Sequence, residues 1–535
     1  RQRLDDPRTN MTTSSSTRPD WDVVILGAGL AGSLLARQLR LRRPDLRVLC
    51  CERSTTTDYK VGESTVELFS NHMVRRLGLT SYLYENQLPK NGLRYFFDRD
   101  GADAPLPSMS EIGSFGMPFH PSFQIDRSTF ERDMRAASEA LGADVALGVR
   151  VTDVELGEPH HRVTFEEAGQ PRTVTAGWVV DASGRTSILA KRLGLRVPER
   201  DHRCLGSWAR LRGVVDLDGP EIDEAFRHRV RHTTRRLSTV HFMHRGYWVW
   251  LIPLRGGVTS LGVVGDTAHV GREVLTRDGL RDFVCRQRAA RDVIGGAEWL
   301  DFGGYGHLAY GTRQWIGDRW ALVGEAAAFS DPFYSPGSDF IALANDYAAD
   351  LIARQHDGED VAERRRLYDA YLQFRYRANL PLYRGQYELF GSFELMSIKW
   401  NFDVAAYYAL WVSSYMQDLH LDVDELRHEQ RQASFVVKAL ERFGELFLET
   451  ERALTARGDY RRKNLGMLAE GLGDVAFVTE VGRMDRKRAE ALSLEIFAKA
   501  RARCFELLGR RVGGEEKLGF VDFVNGRALE PMGRA

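Results

Sequence analysis

The chain has 535 residues, and its 74 Lys and Arg balance 74 Asp and Glu, so no net charge draws the whole molecule toward nucleic acid or an acidic surface. That length suffices for a large buried core and for more than one structural unit. The five cysteines, Cys50, Cys51, Cys204, Cys285 and Cys504, make no CxxC pair and no Cys/His cluster at metal spacing; no metal is expected, and a reducing cytoplasm fits best.

Residues 1–20 are polar, rich in Ser, Thr and Arg, and expected to be disordered, with Met11 a candidate start. Residues 23–26 read as a buried parallel strand and residues 30–39 as the helix that follows. The turn between them, Gly27-Ala-Gly29-Leu-Ala-Gly32, is a dinucleotide fingerprint: Gly27 permits the sharp turn, Gly29 lets backbone approach a pyrophosphate, and Gly32 lets helix pack on strand. A second strand, residues 47–51, ends at Glu52, twenty residues past Gly32, where an acid can accept ribose hydroxyls. The glycines break the apolar run of residues 23–36, and no stretch reaches membrane-spanning length, so no targeting segment and no membrane partner is expected.

Further along, Ser64-Thr-Val-Glu67 has the spacing of a capping box opening a helix through Leu77. Lys90, in Pro89-Lys-Asn-Gly-Leu-Arg-Tyr95, allows two readings: turn chemistry that leaves it facing solvent, or a buried amine of lowered pKa beside the apolar Tyr95-Phe-Phe97. Residues 177–185 supply another strand, ending in Asp181-Ala-Ser-Gly184. Residues 203–214 and 246–265 are strand-rich and would form a substrate sheet. Trp248 and Trp250 lie at strand spacing and share one face, either walling a chamber or packing as core; both readings bury them. The basic run of residues 227–232 with Arg235 and Arg236 has no aromatic interleaving, so nucleic acid is not an expected partner. It reads as a solvated loop, with a docking patch for an acidic carrier protein or a reductase as the alternative. From Ser338 the pattern turns helical to about Leu508, where Tyr407, Tyr408, Trp411 and Tyr415 at helical spacing read as core, with pocket lining as the alternative.

Three motifs, Lys60-Val-Gly-Glu-Ser-Thr65, Trp248-Val-Trp250-Leu-Ile-Pro253 and Asp331-Pro-Phe-Tyr-Ser-Pro-Gly337, together resemble the flavin-dependent halogenases, FAD-dependent oxidoreductases of the p-hydroxybenzoate hydroxylase-like superfamily. The resemblance runs from about Trp21 to Trp411 and takes in Gln124-Ile-Asp-Arg-Ser-Thr-Phe130 and residues 400–408. It implies an α/β fold: a Rossmann-like FAD-binding β-α-β module with an interleaved antiparallel substrate sheet over residues 21–395, and a helical C-terminal region over 396–535 that covers the substrate pocket. It also implies FAD held by Gly27, Gly29, Gly32, Glu52, Asp181, Gly184, Gly324 and Glu325, the last standing where Asp is usual beside the ribityl chain.

In that family, reduced FAD and O2 form a flavin hydroperoxide that a halide attacks, and hypohalous acid passes through a tunnel to a lysine beside the substrate. The matching lysine is Lys90. Gly62, Glu63 and Ser64 resemble the strap linking halide and flavin sites, and Trp248 and Trp250 the pair that separates flavin from substrate. Ser335, Pro336, Gly337 and Ser338 match the segment whose backbone N–H groups hold the halide, but Pro336 has no N–H, so one expected donor is missing. Tyr334 stands where tryptophan-type halogenases carry a glutamate, which disfavours free tryptophan and leaves phenol, pyrrole or carrier-bound substrates.

The implied partners are a small-molecule substrate, free or tethered to a carrier protein, and a separate flavin reductase, because no second dinucleotide fingerprint for NADPH is present. A monooxygenase or oxidase on the same scaffold, acting without halide and with a structural Lys90, is the alternative that Pro336 favours. A flavin-binding partner protein without turnover is a third.

Overall fold

Residues 23–26 are Val-Val-Ile-Leu, and such a run has no polar face to offer water, so it belongs in the middle of a sheet covered on both sides. In the computed structural model these four residues are fully buried within the strand Trp21–Leu26. The described residues are 18–99, 101–114, 116–231, 233–470, 476–510 and 520–526; apart from residues 18–20, the N-terminal segment expected to be disordered lies outside them. Trp21–Leu26 is flanked in parallel by Val48–Glu52 and Gln170–Asp181, and the sheet runs Ile316–Gly317, Trp320–Leu322, Gln170–Asp181, Trp21–Leu26, Val48–Glu52, Asp144–Leu147. Helices Leu30–Arg42, Arg127–Ala140 and Pro336–His356 pack on it, the second capped by the Asp126 carboxylate, which accepts from the Ser128 N–H.

The second large sheet has the order Glu298–Trp299, Cys204–Arg212, Val258–Asp266, Tyr247–Pro253, Thr239–His244, Leu93–Phe97, Ser110–Gly113, Leu468–Glu470, so the expected strand-rich stretches do form one interleaved sheet. Period two puts Trp248 and Trp250 on the same face, and Trp250 pairs across the ladder with Gly262. A Cβ at Gly262 would lie 2.2 Å from the Trp250 ring, so that glycine makes the room the indole occupies.

The helical region opens with Pro336–His356 and continues through Ala362–Asn379, Phe393–Tyr407, the 34-residue Val423–Ala456 and Arg486–Leu507. Residue 396 lies inside Phe393–Tyr407, so one helix runs across that position. Strand Leu468–Glu470, which the helical pattern did not announce, returns from this region to pair in parallel with Ser110–Gly113. No helix among the described residues is long and apolar enough to cross a membrane.

The basic run departs from a solvated loop at Arg235, and Val230 within it is buried as well. Arg235 is fully buried, donates Nε and Nη2 to the two Glu111 oxygens at 2.9 Å each, and lies 3.9 Å from the Phe226 ring centre. A charge inside the fold is tolerated when it is paired, and although the Arg235 Nη1 has no hydrogen-bond partner, the two bonds to Glu111 tie its loop to the second sheet instead of displaying it. His232 lies outside the described residues.

Candidate active site

The turn after Trp21–Leu26 opens onto a cleft of about 900 Å³ between the two sheets. Gly27 has φ of +106° and a Cβ there would meet the Ala182 carbonyl at 2.7 Å, while a Cβ at Gly32 would sit 2.0 Å from the Gly27 oxygen. At Gly29, by contrast, the nearest atom is a Glu131 carboxylate oxygen 3.8 Å away, so the space over this glycine is left open toward the cleft. Two glycines serve the fold and the third leaves room for a ligand, which is the division a bound pyrophosphate requires. Glu52 lines the cleft as expected; its Oε2 accepts from the Ala28 N–H at 2.9 Å and Oε1 from Ser54 N–H at 3.0 Å, with lone pairs left for hydroxyls.

Gly184 and Glu325 also line the cleft. Asp181 stands one layer behind it: its Oδ1 accepts from Ser183 N–H at 2.9 Å and Oδ2 from Leu189 N–H at 2.7 Å, so it shapes the turn that carries Gly184. Gly324 is likewise a backing residue, with φ of +58° and a would-be Cβ 3.0 Å from Ile341. Burial pushes the Glu325 carboxyl above the usual range, with Arg185, Arg127 and Arg196 pulling the other way. Those arginines, with Trp208 and Tyr305, are cleft or near-cleft groups that the fingerprint does not reveal; Arg185 lies 4.3 Å from the Tyr305 ring centre. Arg127 had a signal, since it sits within the Gln124-to-Phe130 motif.

Beyond the cleft, and sharing Arg127, Trp250 and Glu325 with it, lies a chamber of about 110 Å³. Gly62, Glu63 and Ser64 form one wall. Glu63 is buried, with Oε1 accepting from Arg210 Nη1 at 3.0 Å and Oε2 from the Gly62 N–H at 2.9 Å; burial raises its carboxyl, opposed chiefly by Arg210. Trp248 and Trp250, 3 % and 4 % exposed with ring centres 5.5 Å apart, form the facing wall. Their Nε1–H groups donate to Tyr387 Oη at 3.0 Å and Ser260 Oγ at 3.2 Å, which fixes both indoles.

The segment 331–338 closes the chamber. Asp331 Oδ1 accepts from the Phe333 N–H at 2.8 Å, and Oδ2 from Tyr387 Oη–H at 2.8 Å, with His202 Nε2 2.6 Å away. His202, Cys204 and Asp331 thus bring three metal-capable side chains together in the interior, a cluster invisible in sequence because 129 residues separate His202 from Asp331. Ser335, with φ of +56°, leads into Pro336 at the first position of the 21-residue helix. Ser335, Gly337 and Ser338 face the chamber, while Pro336 faces the next cavity outward.

That outer pocket shares Leu93 with the chamber and contains Lys90. The turn reading of Lys90 is corrected by the structure: the residue ends strand Leu88–Lys90, pairs with Ser122 and is 3 % exposed. Its Nζ donates to Ser64 Oγ at 2.9 Å and to the Thr65 carbonyl at 2.7 Å, and burial pushes the amine down to about 8, against Glu67 and Asp339, which hold it up. The capping-box reading of Ser64 fails for the same reason. Ser64 Oγ is engaged by Lys90 and Thr239, the helix starts at Glu67 behind Val66, and it gives way at His72–Arg76 to a π-helical turn before Leu77.

Tyr334, Tyr383 and Trp400 line the pocket with Tyr407, Tyr408 and Trp411, so three of the four helical aromatics read as core are pocket residues. Positions i, i+1 and i+4 share one side of a helix, and these three rings stand where Phe393–Tyr407 passes into a π-helical turn at Tyr408–Val412. Tyr415 remains core, donating to Asp346 Oδ2 at 2.9 Å. Three acids, Glu67, Asp339 and Asp403, interrupt the apolar lining.

A family model described as an FAD binding domain matches residues 20–332, more than half of the chain. The flavin-dependent halogenase chlA of Dictyostelium discoideum is 25 % identical over 441 residues, covering 75 % of this chain and 72 % of that protein. A chlorinase of 1H-pyrrole-2-carbonyl groups on a peptidyl carrier protein, from Pseudomonas fluorescens, is 28 % identical over 344 residues, covering 59 % of this chain and 72 % of that protein. Among solved structures, halogenase PltM in complex with phloroglucinol and FAD superposes with a TM-score of 0.65 at 18 % identity, covering 90 % of this chain and 96 % of that one, a likeness of fold. With the glycine cleft, the tryptophan-walled chamber and the lysine pocket in one line, these matches make the chain a member of the FAD binding domain family and, within it, an FAD-dependent oxidoreductase of the flavin-dependent halogenase type.

Proposed function

We propose that the three cavities divide the work of halogenating an electron-rich aromatic small molecule: cofactor in the cleft, halide in the chamber, substrate in the outer pocket. FAD fits the cleft on the open space over Gly29 and the Glu52 carboxylate. When bound, reduced by a separate flavin reductase and exposed to O2, it supplies the oxidising power that makes the halogen electrophilic. Glu63, held by Arg210, and the indoles of Trp248 and Trp250 keep the chamber dry and shaped. The Gly337 N–H is the halide donor, since the second position of a helix has no intrahelical acceptor and the dipole there favours an anion.

The observation that carries this reading is Lys90, a buried amine that reaches the strap through Ser64 while lining the aromatic pocket. It binds the hypohalous acid and holds its halogen beside the ring to be substituted. The relative that acts on a carrier-bound pyrrole supports a substrate tethered to a carrier protein. Pro336 supports a second reading, oxygen transfer without halide, because it removes one backbone donor from the halide segment.

One experiment separates the two. The FAD-loaded protein is supplied with chemically reduced FAD, O2, bromide and resorcinol, and products are weighed by mass spectrometry. Bromoresorcinol that disappears when bromide is withheld is the expected result; an oxygenated product formed at full rate without bromide rejects halogenation.

A further inference from the structure

Substitution of a hydrogen by a halogen on an aromatic ring leaves a ring proton to be disposed of, and in an apolar pocket water is a poor recipient. The outer pocket holds a carboxyl suited to that task. Asp339 stands in the first turn of the Pro336–His356 helix, is 4 % exposed, lines the same pocket as Lys90, and has an Oδ1 with no hydrogen-bond partner. Among the described residues no basic side chain lies within ion-pair distance of it. A buried carboxyl oxygen left without a partner calls for an explanation, and a catalytic role is one.

The two other acids of the pocket are otherwise engaged. Asp403 Oδ2 accepts from Tyr334 Oη–H and Lys399 Nζ–H at 2.7 Å each, so although its Oδ1 is also unpartnered, its charge is already neutralised by an ammonium. Glu67 is partly exposed and engages Tyr408.

We propose that Asp339 is the proton acceptor of the halogenation step, taking the proton from the ring carbon that has just received halogen, while Lys90 protonates the hydroxide that leaves hypohalous acid. This rests on the halogenase reading above. The aromatic carbon attacks the halogen; the C–X bond forms as the O–X bond breaks, its electron pair leaves on oxygen, and a Lys90 N–H proton turns that oxygen into water. The ring C–H bond then breaks toward Asp339 and its electron pair restores aromaticity. ArH and HOX become ArX and water, and transfer of the proton from Asp339 to Lys90 returns both groups to their starting charges. The donor count supports this: an ammonium has three N–H bonds, Ser64 Oγ and the Thr65 carbonyl take two, and the third is left for the oxidant.

Burial supports the pairing from opposite directions, lifting Asp339 to about 8 and lowering Lys90 to about 8, so the returning proton moves between groups of matched affinity. Arg375, the Phe69 N–H and the Tyr407 hydroxyl pull Asp339 down, and Glu67 pushes it up.

The test uses the full-length, FAD-loaded protein in single turnovers with bromide and either resorcinol or ring-deuterated resorcinol. The parent is expected to show a ring isotope effect near unity. Asp339→Asn is expected to bind FAD and consume O2 as the parent does, to brominate roughly a hundredfold more slowly, and to show an isotope effect well clear of unity, because proton loss becomes limiting. Asp339→Glu recovers part of the rate and lowers the isotope effect again. Equal rates and equal isotope effects in the parent and Asp339→Asn overturn the assignment while leaving the halogenase reading intact; a parent that does not brominate resorcinol overturns that reading and the assignment with it. Should Asp339→Asn fail to hold FAD, the parent alone decides: its ring isotope effect must rise above unity as pH drops well below about 8, where loss of the carboxylate makes proton loss limiting, and an isotope effect that stays at unity overturns the proposal.

Discussion

Lys90 Nζ and Ser64 Oγ, 26 residues apart in the chain, meet at 2.9 Å inside the protein, and this bond joins the strap beside the chamber to the outer pocket. Because the amine lies in the outer pocket and does not line the cleft, its loss should spare everything that happens there. Lys90→Ala is expected to retain flavin content and O2 consumption while product formation falls roughly a hundredfold or more. Stopped-flow flavin oxidation set beside product mass measures both. Lys90→Arg should not rescue, because a planar guanidinium cannot copy a compact ammonium bonded to Ser64 and Thr65. A Lys90→Ala protein that halogenates at the parent rate would reduce this residue to a structural one.

Two glycines of the same turn should fail differently. A Cβ at Gly29 comes no closer than 3.8 Å to its nearest neighbour, a Glu131 carboxylate oxygen, so the Gly29→Val apoprotein is expected to melt as the parent does yet lose FAD, read as flavin absorbance after gel filtration. Gly32→Val drives a Cβ to 2.0 Å from the Gly27 oxygen and should cost the fold itself, lowering Tm or yield before any question of cofactor arises.

Pro336 begins the helix whose second residue, Gly337, faces the chamber. Pro336→Ser adds a backbone N–H, and a charge-assisted bond contributes roughly 1.5 to 3 kcal/mol, or about tenfold to a hundredfold in affinity. The half-saturating bromide concentration is therefore expected to drop by about that factor with FAD binding unchanged. No change in bromide dependence would show that the halide is held elsewhere.

Asp339 gives a stability prediction whose sign follows from burial. Its folded-state value, about 8, lies above the unfolded carboxyl value of roughly 4, so between those pH values the unfolded chain is ionised and the folded one protonated. The folded state thus loses stability steadily as pH rises through that window and levels off above it. Asp339→Asn removes this dependence, and its Tm should exceed the parent's by a margin that widens from mildly acidic pH to about 8. A margin that stays constant or narrows would show that Asp339 is ionised in the folded protein throughout.

What the amino-acid sequence determines by itself is what short-range rules can carry. The strand of residues 23–26, the glycine turn and the helix after it follow from six residues of spacing and one apolar run, and period two alone puts Trp248 and Trp250 on one face. Lys90 was open to two readings because Pro-Lys-Asn-Gly is good turn chemistry, and only pairing with Ser122 and cover from the helical region make it a buried amine. Ser64 has the spacing of a cap, yet a partner from another strand takes its oxygen; Tyr407, Tyr408 and Trp411 have the spacing of core, yet the fold sets them around the outer pocket. His202 with Asp331 and Arg235 with Glu111 are likewise joined only across more than a hundred residues. Desolvation and hydrogen-bond satisfaction, which decide whether a lysine is an ammonium at neutral pH or a carboxyl keeps its proton, depend on whatever atoms the fold stacks around the group, and those atoms come from elsewhere in the chain.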